Sequence, residues 1–181
     1  ALACDLADRQ SLGALFDEVD STLAQYNDIL TVLVNNAASD DRHTWEDMTV
    51  DYWNNRLDTN LRHYFFAIQA VAPAMIEAKH GSIINIGSSC YMMREDVFPG
   101  YAIAKSGVEG ITRTLARTFG PDNVRVNTVL PGWVATERQL TKWWTPEAVQ
   151  FVEELPHTAT GKLQKYKLRA PYWEDMEKNV N

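Results

Sequence analysis

GSIINIGSS, residues 81–89, is the stretch from which the fold can be read. It opens on a Gly-Ser turn signal, runs through Ile83, Ile84 and Ile86, and ends in Ser88 and Ser89. An unbroken apolar, β-branched run between turn residues reads as a strand buried on both faces, the kind that parallel sheets use. Two other stretches share this grammar. TVLVNNA at 31–37 ends in Asn-Asn-Ala, and VRVNTVLPG at 124–132 is closed by Pro-Gly. Between them lie helical patterns. LADRQSLGALFDEVDSTLAQY has apolar residues at 12, 15, 16, 19 and 23, a helical period. Residues 44–79 read as helix with a break near Asp58, and residues 99–119 read as a further helix. Residues 1–4, ALAC, read as the end of another strand. Crossovers of this length are what parallel strands require, so the expectation is an open α/β parallel sheet with right-handed crossovers. Ligands of such sheets bind beyond the carboxyl ends of the strands. The polar pairs Asn35-Asn36, Ser88-Ser89 and Pro131-Gly132 sit there.

The bulk composition sets bounds. A chain of 181 residues is long enough for a domain with its own core. Its 45% hydrophobic and 23% charged content is ordinary for a soluble globular protein. No apolar run reaches the roughly 18 residues of a membrane-spanning helix. The start, ALACDLADRQ, is not a signal peptide, and it begins in mid-pattern without methionine. Cys4 and Cys90 are too few for a disulfide framework and fit a reducing compartment, so a cytoplasmic location is expected. The net charge of −7 argues against nucleic acid or an anionic membrane surface as partner, and no metal is implied.

The chemistry begins at YAIAK, residues 101–105. Tyr101 and Lys105 are four apart, which on a helix places them on one face at about 5–6 Å between Cβ atoms. A phenol beside a fixed ammonium ionises more easily than a free one, so Tyr101 is expected to accept a proton near neutral pH. Ser88 lies thirteen residues earlier, at the end of a strand.

Taken in order, NNAA at 35–38, DTNL at 58–61, GSS at 87–89, YAIAK and PGWVAT at 131–136 closely resemble the short-chain dehydrogenase/reductase family, from Ala1 to about Ala148. The fold implied is a partial Rossmann-type parallel sheet with flanking helices, truncated at both ends of the sheet. The resemblance implies that Tyr101 is the catalytic acid/base. It makes Lys105 the lysine that lowers the tyrosine's pKa and holds the nicotinamide ribose, Ser88 the serine that hydrogen-bonds the substrate oxygen, and Asn60 a member of the proton relay. Asn35 and Ala37 match the NNAG segment that shapes the cofactor cleft, with Ala38 in place of the usual glycine. Pro131, Gly132 and Thr136 match the segment at the carboxamide end of the nicotinamide, and Asp5 and Leu6 match an adenine contact. The implied cofactor is NAD or NADP, and the intact family form is a homo-oligomer acting on a small molecule. The chemistry is coherent: alcohol oxidation needs a base, here Tyr101 tuned by Lys105, and a nicotinamide to take the hydride, while Ser88 stabilises the developing alkoxide. TERQLTKWWTPEA resembles the sugar-oxidising branch, which implies an aldose substrate. Trp143 and Trp144 read either as a platform for a sugar face or as packing in a lid.

Other residues read as bland. Tyr64, Phe65 and Phe66 read as core or a subunit interface, His63 as a surface or interface histidine, and Cys90 as a thiol without a helper histidine. Two features depart from the family. The glycine-rich turn TGxxxGxG does not occur, so half of the cofactor site and an impaired activity are expected. From residue 149 the pattern changes, and LPHTATGKLQKYKLR resembles the C-terminal signature of AMP-forming acyl-CoA synthetases over about residues 151–175, with Lys162 as its TGK lysine. The domain reading is therefore 1–148 for the oxidoreductase part and 149–181 for a fused tail, with Lys162 facing solvent. The alternatives are a non-catalytic remnant or partner subunit of the same fold, and a synthetase fragment.

Overall fold

The computed structural model describes residues 1–93, 96–132 and 134, with Pro156, Gln164 and Lys167 beyond them. The chain divides into a unit of Ala1–Val134 and a unit of Ala135–Asn181. The expected boundary at residue 148, with Thr136, Trp143, Trp144 and Lys162, lies outside the described residues.

The first unit alternates helix and strand. Helix α1 (Arg9–Ala24) starts where the Asp8 carboxylate caps the N–H groups of Gln10 and Ser11. Strand β1 (Val32–Asn35) follows, then α2 (Val50–Leu57), capped by Thr49. The break expected near Asp58 is a π-helical turn, Asp58–Arg62, which runs directly into α3 (His63–Glu77). Such turns insert one residue into a helix and concentrate at functional sites. Strand β2 (Gly81–Ile86), the short helix α4 (Cys90–Met93), α5 (Pro99–Phe119) and β3 (Val124–Val129) complete the unit.

The three strands form one parallel sheet in the order β1-β2-β3, with Asn35 opposite Asn85 and Ile83 opposite Val126. Apolar β-branched residues at alternate positions bury Ile83, Val124 and Val126 against Ile68, Val71, Ala72 and Met75 of α3. That contact is close enough that a Cβ on Gly81 would fall 2.6 Å from the Met75 sulfur. Residues 1–4, read as a strand end, have no regular structure. A strand exists only through its ladder, and among the described residues no strand pairs with them. The outer strand β1 leaves Val32 and Val34 52% and 53% exposed.

Candidate active site

The carboxyl ends of the three strands carry polar side chains where the rest of each strand is apolar. Asn35 Nδ2 donates to Asn85 Oδ1 at 2.9 Å, Asn85 Nδ2 donates to Thr112 Oγ1 at 2.9 Å, and the Thr128 hydroxyl reaches the Thr112 hydroxyl at 2.6 Å. This buried chain ties β1, β2, β3 and α5 together at the end of the sheet where a ligand would lie. The Asn35 amide is thus spent inside the sheet, while its residue also lines a cleft of ≈ 150 Å³ with Leu6, Asn36, Ala37 and His63. Asp5 does not line that cleft: its carboxylate accepts from the Ala7 N–H at 2.9 Å in a local turn.

Strand β2 hands over to the site at Gly87. The Gly87 N–H donates to Val129 O at 2.8 Å, and a Cβ there would fall 2.5 Å from Leu130 Cδ2 and 2.9 Å from Thr128 Cγ2, so a larger residue would require these side chains to shift. Ser88 and Ser89 follow. The Ser89 N–H and hydroxyl both donate to Pro131 O at 3.2 Å, which sets Pro131 and Gly132 beside the serine pair. The Ser88 hydroxyl accepts from Cys90 N–H at 3.2 Å and is near enough to the Tyr101 phenol to favour its ionised form.

Helix α5 supplies Tyr101 and Lys105. Tyr101 stacks edge-on against Phe98, with ring centroids 5.5 Å apart. The Lys105 ammonium lies 5.6 Å from the centre of the Tyr101 ring, and its side chain is almost fully buried. It donates to the Tyr64 hydroxyl at 2.9 Å and to Ile86 O at 2.7 Å. Burial pulls Lys105 down from its usual 10.5 to about 8, opposed slightly by Cys90. Burial also pushes the Tyr101 phenol above its ordinary value, and the Ser88 hydrogen bond only partly offsets this. The expectation that Tyr101 ionises near neutral pH is therefore corrected. The ammonium is directed at Tyr64 and a carbonyl, and desolvation of the phenolate outweighs its field.

Asn60 is wholly buried in the π-helical turn. Its side chain accepts from Ser39 N–H at 2.8 Å and donates to Arg56 O at 2.9 Å, pinning the 36–43 loop to α2. His63, read as a surface or interface histidine, is buried within the chain, at 3% exposure. It follows the π-helical turn directly, which rotates it inward against the Tyr64 ring at 4.5 Å, and burial lowers its pKa. Cys90 is buried, and burial raises its thiol; both cysteines are free.

Three contributors went unread in the sequence. Tyr64, taken as core or interface, is core by its ring and part of the site by its hydroxyl. A tyrosine in an otherwise apolar helix needs a partner for its O–H, and that was the available signal. Asn85 is a polar residue inside an apolar strand, the same kind of signal. His43 carried no local signal. Its Nε2 accepts the Gly100 N–H at 3.0 Å, so Nδ1 carries the proton and donates to Asp41 O at 2.8 Å. The imidazole thereby caps the helix that bears Tyr101, which has no side-chain cap of its own from Phe98.

A strand-end serine, a helix-borne Tyr-Lys pair and a parallel sheet invite comparison with known proteins. A model of the short-chain dehydrogenase family matches residues 1–145. The chain belongs to this family. It is 45% identical over 144 residues to D-xylose 1-dehydrogenase of Caulobacter vibrioides, covering 80% of this chain and 54% of that protein. It is 43% identical over 148 residues to "Probable galactose dehydrogenase GalD" of Rhizobium meliloti strain 1021, covering 82% and 57%. Among solved structures it resembles a 3-oxoacyl-[acyl-carrier protein] reductase with bound NAD from Brucella melitensis, with a TM-score of 0.65 at 33% identity over 75% of this chain and 51% of that one. The chain thus spans about half the length of the curated relatives it matches.

Proposed function

We propose that this chain carries the acid/base centre of an NAD(P)-dependent oxidoreductase that interconverts an alcohol and a carbonyl, with an aldose as the substrate class. The observation that supports it most is the convergence of Ser88, Tyr101 and Lys105 at the carboxyl end of β2. The sugar assignment draws on the relatives named for D-xylose and galactose.

The described residues fit a nicotinamide cofactor on the side they form. Lys105 has three N–H donors, of which two are committed to Tyr64 and Ile86, leaving one for a ribose hydroxyl. Pro131 and Gly132 border the serine pair, and Leu6, Asn35 and Ala37 line the neighbouring cleft. Asp5, held in its local turn, and Thr136, outside the described residues, remain part of the assignment by resemblance alone. When bound, the cofactor supplies hydride transfer. The chain's own residues handle the proton. The Tyr101 phenol, kept neutral by burial, donates its proton to a carbonyl oxygen, and in the reverse direction its phenolate accepts one from an alcohol. The Ser88 hydroxyl donates to the same oxygen and stabilises its negative charge as it develops. Asn60 holds the loop over the helix break and keeps the relay's geometry. Because the phenol sits above its ordinary value, alcohol oxidation rises with pH and carbonyl reduction persists at neutral pH.

The test is turnover of D-xylose and D-galactose with NAD and NADP, beside calorimetric titration of each cofactor, in the parent and in Tyr101→Phe. Turnover should fall at least about a hundredfold in the variant with cofactor affinity unchanged. Turnover within tenfold of the parent would overturn the assignment. A second reading, a chain that keeps the fold without turnover, is favoured by the half-exposed valines of β1. Absence of both cofactor binding and turnover in the parent would select it.

A further inference from the structure

We propose that Tyr64 is a positioning residue for Lys105: its hydroxyl and the Ile86 carbonyl form a two-point cradle that fixes the ammonium beneath Tyr101. The proposal rests on the reading of Lys105 as part of the acid/base centre. Three independent distances define the cradle. Lys105 Nζ lies 2.9 Å from the Tyr64 hydroxyl and 2.7 Å from Ile86 O, and the Tyr64 hydroxyl itself donates to Ile86 O at 3.0 Å. The triangle is closed and its hydrogens are assigned by elimination. The carbonyl can only accept, and the ammonium can only donate. Tyr64 therefore gives its one O–H to Ile86 and receives Lys105 on a lone pair.

The setting makes the cradle strong. Tyr64 and Lys105 are among the largest fully buried side chains of the molecule. The ammonium sits 4.9 Å from the centre of the Tyr64 ring, beyond its edge on the hydroxyl side, so it is the hydroxyl that favours the charged form. Among the described residues, the titratable groups that face Lys105 include Tyr64 and His63 from α3, Cys90 from α4 and Tyr101 from its own helix, with Asp40 acting on Tyr101. In this pocket the hydrogen bonds to Tyr64 and Ile86 help the charge to remain at neutral pH. With two donors fixed, the third is the one left to reach toward a ligand, and its direction follows from the other two. Burial holds the Tyr64 phenol well above its ordinary value, so it stays a neutral acceptor over the working pH range.

The experiment uses the full chain labelled with ¹³C at the lysine ε carbon, in the parent and in Tyr64→Phe. Lys105→Met identifies the Lys105 resonance by its loss. Tyr64→Phe keeps the ring and leaves Ile86 O with its lysine donor, so the fold should survive. The Lys105 titration midpoint, about 8 in the parent, should fall by about one pH unit or more, a loss of at least about tenfold in proton affinity. The pH profile of turnover should move with it, in kcat more than in KM. A folded variant whose Lys105 midpoint is unchanged would overturn the proposal, whatever its activity. A shifted midpoint in a chain that turns over no substrate would keep the cradle and reject the functional reading. Should Tyr64→Phe fail to fold, the parent alone decides. The Tyr64 Cζ resonance must then titrate with the Lys105 midpoint, and its independence from that midpoint would refute the cradle.

Discussion

Lys105→Met should stabilise the folded chain at neutral pH while removing the residue assigned to the acid/base centre. Lys105 titrates near 8 in the folded state against a usual 10.5. Below pH 8 both states hold the proton, and the folded state bears the full cost of a desolvated ammonium. Between about 8 and 10.5 the unfolded chain holds a proton that the folded chain has released, so stability rises with pH across that window and the cost disappears above it. At about 1.4 kcal/mol per pH unit, the gap amounts to about 3 kcal/mol near pH 7 and about 1.4 kcal/mol near pH 9.5. Methionine is apolar and near lysine in length, and the Tyr64 hydroxyl still satisfies Ile86 O. The assay is urea unfolding of parent and variant at both pH values. The absolute gain depends on how well methionine packs, but packing does not change with pH. The decisive quantity is therefore the shrinkage of the variant's advantage between the two pH values, expected at about 2 kcal/mol. An advantage constant to within about 0.5 kcal/mol would refute the argument that the buried charge costs stability.

Three further outcomes follow from the geometry. His43→Ala leaves the Gly100 N–H without its acceptor and should cost about 1–3 kcal/mol in urea unfolding, with a matching loss of amide exchange protection at the start of α5. Asn85→Leu removes the middle of the Asn35–Asn85–Thr112 chain and strands the buried Asn35 amide, while Thr112 keeps Thr128, so it should cost about 1–3 kcal/mol, more than Ile84→Ala on the less buried side of the same strand. Val32→Thr on the exposed side of β1 should lower light scattering on concentration while changing the urea midpoint little.

The fold was legible because its signals are local. Unbroken apolar runs located all three strands, and the period of apolar residues located α1 and α5. DTNL marked the disturbance that proved to be a π-helical turn. Residues 1–4 misled because a strand also needs a partner, and that is not a local property. Three of the residues proposed for the site lie near one another, but the bonds among them were not legible. Tyr101 lies near both Ser88 and Lys105, as the spacing of YAIAK and GSS implies. What the ammonium touches is decided by Tyr64 and Ile86, 41 and 19 residues away along the chain, and no pattern within YAIAK encodes them. The sign of the Tyr101 shift failed for the same reason: proximity to a cation is visible in a five-residue motif, whereas burial is not. His43 was missed because its partner, Gly100, lies 57 residues on.

The distribution of polarity along the sheet ties these findings together. The buried residues Ile83, Val124 and Val126 are apolar, yet the same sheet buries Asn35 and Asn85 at the carboxyl ends of β1 and β2, and Lys105 of α5 reaches Ile86 O there. Folding alone gives no reason for this. A uniform apolar core would avoid the desolvation of an ammonium and the need to satisfy every amide. The polar groups are instead confined to one end of the strands, where each hydrogen bond holds a site element in register. Asn35 and Asn85 lock the strand ends, Gly87 and Ser89 bring the β2 and β3 ends together, and His43 fixes the first turn of α5. The result is a rigid platform on which Tyr101 and Lys105 have little freedom. A charge buried at a cost of about 3 kcal/mol and held by hydrogen bonds to Tyr64 and Ile86 accords with the role proposed for Lys105. This reasoning makes stability and activity move oppositely at one residue. At Asn85 and His43, where the polar groups serve the platform and not the proton, it makes them fall together.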